Sequence, residues 1–147
     1  MNASSLKAEA RGNLRLQKII LRAMALAALP VLPAVFAPRL TVEKLSWVLG
    51  FGEPPHVTLI YYLAAGGSLL YLLLAILLWM LSCDVVRYRP LIVFVAVACV
   101  AVAPVFGWLD THVGMPRWWM LMDAVSCLVG GLLLLWALRG KGSGETE

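Results

Sequence analysis

Four long apolar runs separated by short polar breaks set the plan of this chain. They cover about 19–37, 57–82, 91–109 and 118–138. Several approach or exceed the roughly 18 residues that cross a hydrocarbon core. The first, at ~1.5 Å per residue, is about 28 Å long and just spans. Pro30 and Pro33 are expected to kink it or end its regular part. The second holds no charged residue from Val57 to Ser82 and is long enough to cross with tilt. Pro104 is expected to bend the third.

Small residues recur at helical spacing inside these runs. The second carries Tyr61, Ala65, Ser68, Leu72 and Ala75, with Gly66 and Gly67 beside them. The third carries Ala96, Cys99, Ala103, Gly107 and Asp110, and the fourth Asp123, Ser126, Cys127, Gly130 and Gly131. Such stripes mark faces where helices approach closely in membranes. The expected fold is therefore all-α: a four-transmembrane-helix bundle with both termini on one side.

The breaks are polar in different ways. Residues 1–18 form a basic N-terminal segment, readable as an amphipathic lead-in helix on the lipid surface. A cleavable signal peptide fits less well, because the following apolar run is long and lacks a small-residue cleavage site. Between the first two runs, Val42, Leu45, Trp47, Val48, Leu49 and Phe51 suggest a short interfacial helix, broken by Gly50, Gly52, Pro54 and Pro55. A tight turn at 83–90 follows the second run, and residues 139–147 read as a disordered polar tail. The membrane domain is thus 19–138.

Composition agrees with the pattern. The chain of 147 residues is 62% hydrophobic and 14% charged, whereas soluble domains are nearer half apolar and a quarter charged. The net charge of +4 does not indicate nucleic acid, because the cations sit beside the apolar runs. Nine lie on the side of the termini: Lys7, Arg11, Arg15, Lys18, Arg22, Arg87, Arg89, Arg139 and Lys141. Three lie on the other: Arg39, Lys44 and Arg117. The positive-inside rule puts both termini in the cytoplasm, in a bacterium at the inner membrane. Cys83, Cys99 and Cys127 form no C-x-x-C pair, so neither a redox motif nor a zinc site is suggested.

The polar groups that remain cluster between the third and fourth runs. Asp110, His112, Arg117 and Asp123 fall there among Trp108, Trp118 and Trp119. Asp123 lies about one and a half turns into its helix, roughly 8 Å along the axis. A carboxylate at such depth must be paired, protonated or wet. His112 could share a proton with either carboxylate near neutral pH. These four are the candidate lining of an outward-facing pocket for a headgroup, a quinone or a small polar ligand. A plainer alternative is that Asp110 terminates the third helix while Arg117 and Asp123 pair to staple the turn. No metal site is expected, since one histidine and two acids lack E-x-x-H spacing. Ser126 has no neighbouring histidine base, which argues against hydrolysis.

The segments Asp-Val-Val-Arg-Tyr-Arg-Pro (84–90) and Asp-x-x-x-Gly-Met-Pro-x-Trp-Trp (110–119) resemble those of small bacterial DoxX-like membrane proteins. The resemblance implies a four-helix membrane bundle with an acidic residue a few positions after the tryptophan pair, a place Asp123 fills. Some DoxX-named proteins are associated with quinol or thiol redox systems, which the lack of paired cysteines does not carry over. The leading expectation is an accessory or interaction protein, non-enzymatic or of unknown activity, without a cofactor. Its partners would be the bilayer and another membrane protein or a second copy. The alternatives are a small oxidoreductase or quinone-binding subunit, and a small proton-coupled transporter using Asp123.

Overall fold

The computed structural model describes residues 3–54 and 57–139. The described residues are helical almost throughout, and four helices are long and apolar enough to cross a membrane. Helix α1 (Ala3–Ala27) leads through a 3-10 turn (Leu29–Val31) into the short α2 (Leu32–Phe36). Then come α3 (Pro38–Leu49), α4 (Thr58–Cys83), α5 (Arg89–Val113) and α6 (Arg117–Arg139). The all-α class with four spans is what the apolar periodicity predicts. The spans have mean hydropathies of 2.1 to 2.5, yet at most 22% of any of these windows is buried within the chain. Helices this apolar and this exposed need lipid around them, and the protein is a multi-pass membrane protein.

The element ends follow local chemistry. α1 begins at Ala3, so the basic lead-in and the first span are one continuous helix. The prolines break it where expected: bonds from Ala28 N–H to the Ala25 carbonyl and from Val31 N–H to the Ala28 carbonyl tighten the chain into the 3-10 turn. α3 is the short helix anticipated between the first two spans, and none of its residues is buried. It ends at Gly50, whose φ of 83° is the left-handed conformation that a glycine adopts without strain. Pro38 and Pro90 sit in the first turns of α3 and α5, where no intrahelical donor is missed. The α4–α5 turn is held by Asp84, which accepts the Arg87 N–H on its side chain and the Tyr88 N–H on its carbonyl. The tail at 140–147 lies outside the described residues.

The chain divides into two units, one of α1 through Ala23 with everything from Trp79 onward, the other Met24–Leu78. In the first unit, α5 and α6 form an antiparallel hairpin, and the small-residue stripes face each other. Ala96, Ala103 and Asp110 of α5 and Gly131, Leu134, Ala137 and Leu138 of α6 are buried. The side-chain amide of Gln17, itself buried, donates to the Ala137 carbonyl at 2.7 Å. That bond sets the middle of α1 beside the last turn of α6 and satisfies a carbonyl that the helix end leaves without an internal partner. Arg22 donates through Nε to the Ser82 hydroxyl (3.4 Å) and lies 5.2 Å from the Trp79 ring centroid.

In the second unit the Tyr61–Ala75 stripe of α4 is its more sheltered face, and Ala75 is buried. Gly66 and Gly67 do not mark a close helix approach: a Cβ added at either meets nothing within 4 Å. Arg39 and Glu43 form an i,i+4 ion pair at 3.0 Å on the exposed side of α3. The hydrogen bond and charge of Glu43 raise the Arg39 pKa, keeping that guanidinium charged.

Candidate functional site

The register of the α5–α6 hairpin decides which polar groups meet. A Cβ on Gly107 would lie 3.9 Å from Ala124 Cβ, an ordinary contact. Asp110 is one turn beyond Gly107 on the same face of α5, and Asp123 precedes Ala124 on α6. The two carboxylates therefore occupy neighbouring levels of the same interface. Below them the facing stripes run through Ala103, Cys99 and Ala96 on α5 and through Cys127 and Gly131 on α6.

Asp110 is the unusual member. Its residue is 6% exposed, and its Oδ2 is buried without a hydrogen-bond partner. Buried polar atoms in folded proteins are nearly always bonded, because an unmade bond costs on the order of 1–3 kcal/mol. The Asp110 backbone is by contrast fully used: its carbonyl accepts the N–H groups of Gly114 and Met115, closing the end of α5. Gly114 has the left-handed φ of 79° that this cap requires. Asp123 is half-buried, with the Trp119 side chain, one turn earlier, within hydrogen-bonding reach of its carboxylate.

His112 and Arg117 take other places. α5 continues to Val113, so His112 is on the helix, roughly 200° around the axis from Asp110. It is exposed and lies against the Trp108 ring with centroids 4.6 Å apart. Arg117 is the first residue of α6 and is exposed; among the described residues it forms no ion pair with Asp123. The staple expected from that pair is not made. Ser126 is exposed and its hydroxyl bonds the Asp123 carbonyl, which turns it off the interface.

Of the four sequence candidates, the structure brings Asp110 and Asp123 together and leaves His112 and Arg117 at the surface. Trp119 is an addition. Its i,i+4 spacing to Asp123 is visible in the sequence. No set of three His, Cys, Asp or Glu in metal-holding geometry occurs among the described residues. No protein-family model, curated protein or solved structure matches the chain.

Proposed function

We propose that this is a bacterial inner-membrane protein with both termini in the cytoplasm, acting as an accessory or interaction protein. Its working feature is a carboxylate pocket on Asp110 and Asp123, open toward the outer side. The observation that carries this reading is the unpartnered buried Oδ2 of Asp110 beside a second carboxylate. Neither acid has a cationic partner among the described residues. A site of this kind is completed by a ligand that supplies hydrogen-bond donors or positive charge, such as an amine or a polyol. The nine-to-three excess of Lys and Arg on the side of the termini supports the orientation. The likeness of 84–90 and 110–119 to DoxX-like proteins supports a place among small bacterial membrane proteins.

The quinone reading gains less support. Quinone oxygens accept hydrogen bonds, and His112, the natural donor, is on the far side of α5 from Asp110. A proton-coupled carrier draws on the same observation as the leading reading, since proton relays also use buried acids. Native mass spectrometry of the gently solubilised protein, with Asp123→Asn and His112→Ala beside it, tests the pocket. We expect a small bound molecule in wild type and His112→Ala that is lost in Asp123→Asn. Identical spectra from all three would refute the pocket.

A further inference from the structure

The other end of the first unit holds a cavity with the opposite charge. Its volume is about 390 Å³, and it is lined by Leu14 and Gln17 of α1, by Val85, Val86 and Arg87 of the α4–α5 turn, and by Arg89 and Pro90 at the start of α5. Three chain segments converge on it, and two of its seven lining residues are arginines. Among the described residues neither guanidinium forms an ion pair. The nearest acid in sequence, Asp84, is occupied in accepting the Arg87 backbone N–H at 3.1 Å. The Arg87 guanidinium lies 5.7 Å from the Tyr88 ring centroid, a contact that leaves its N–H groups available. Arg22 shows the contrast, because its Nε is committed to Ser82 and its cation to Trp79. The start of α5 adds the positive end of a helix dipole at the same mouth.

The walls are mixed in a telling way. Arg87 and Arg89 supply forked donors that match a phosphate bidentately. Leu14, Val85, Val86 and Pro90 supply an apolar wall that a free inorganic ion would not use. Gln17 is held by its bond to Ala137, so the wall it forms is fixed by the α1–α6 contact. The position is at the ends of spans, where headgroups lie.

We infer that this cavity binds a phosphate ester, and that the ester is the headgroup of an anionic phospholipid. Basic pockets between spans commonly hold such headgroups. The site is separate from the carboxylate pair and does not depend on it.

The test is native mass spectrometry of detergent-purified full-length protein titrated with phosphatidylglycerol or phosphatidylcholine of matched chains. The runs are repeated with millimolar inorganic phosphate and with Arg87→Gln/Arg89→Gln. Wild type is expected to retain phosphatidylglycerol over phosphatidylcholine, and the double variant to bind it roughly twentyfold more weakly. Displacement of the lipid by inorganic phosphate would keep the anion chemistry and assign the site to the free ion. Equal retention of the two lipids by wild type would overturn the proposal without any variant. So would undiminished phosphatidylglycerol binding by a folded double variant, or by the single variant Arg87→Gln at its exposed position should the double fail to fold.

Discussion

Gly131 of α6 packs so closely on Ala96 of α5 that a Cβ at Gly131 would lie 2.8 Å from the Ala96 carbonyl oxygen. The same Cβ would meet Val100 Cγ2 at 2.8 Å and Cys99 Cβ at 3.1 Å. A backbone oxygen cannot swing aside as a side-chain end can. Gly131→Ala should therefore push the two helices apart and destabilise the protein by about 1–3 kcal/mol. Gly107→Ala, whose Cβ would sit at 3.9 Å from its neighbour, should be close to neutral. Unfolding of both variants in detergent, followed by helical circular dichroism, checks the contrast.

The bond from Gln17 to Ala137 predicts a second stability effect. Gln17→Leu keeps most of the side-chain volume but leaves a helix-end carbonyl without its donor. The expected loss is about 1–3 kcal/mol. Because it acts at the far end of the hairpin, Gln17→Leu should not change what the carboxylate pair binds.

Cys99 and Cys127 lie on the facing stripes of α5 and α6, and both are free thiols. A short homobifunctional thiol reagent small enough to enter lipid should link them within one chain. Cys83, exposed at the end of α4, should be modified singly. Mass analysis of proteolytic fragments distinguishes the two products, and a Cys83–Cys127 link would contradict the register.

The proposed orientation has its own check. Reporter fusions active only in the cytoplasm should light up at either terminus, whereas a fusion in the Gly114–Pro116 turn should be silent. The reverse pattern would invert the placement of the carboxylate pair.

Much of this was legible in the sequence, and the exceptions share a cause. The stripe from Ala96 to Asp110 can be read from spacing because α5 is one continuous helix through that region, Pro104 included, and Ala96, Ala103 and Asp110 are buried along it. His112 was harder to place. The apolar run stops at Leu109, and Asp-Thr-His looks like the start of a loop. The helix instead continues until Gly114, whose left-handed conformation closes it, and those extra residues rotate His112 away from Asp110. Helix ends are set by capping geometry, and the apolar pattern does not record it. Gly131 could be listed among small residues, but only the register singles it out from Gly66 and Gly67. The basic cavity was invisible, since it forms where α1, a turn and α5 converge, and no local pattern reports such a convergence.

On the proposed function, Asp110 is kept for binding at the expense of stability. The most direct measurement compares Asp110→Asn with wild type in detergent unfolding and native mass spectrometry on the same preparations. Replacing a buried, unpartnered carboxylate by an uncharged amide should leave the protein as stable as wild type or more so, while the bound small molecule is lost. A variant that unfolds more readily, by about 1–3 kcal/mol, with an unchanged bound mass would contradict the account and make Asp110 a structural member of the hairpin.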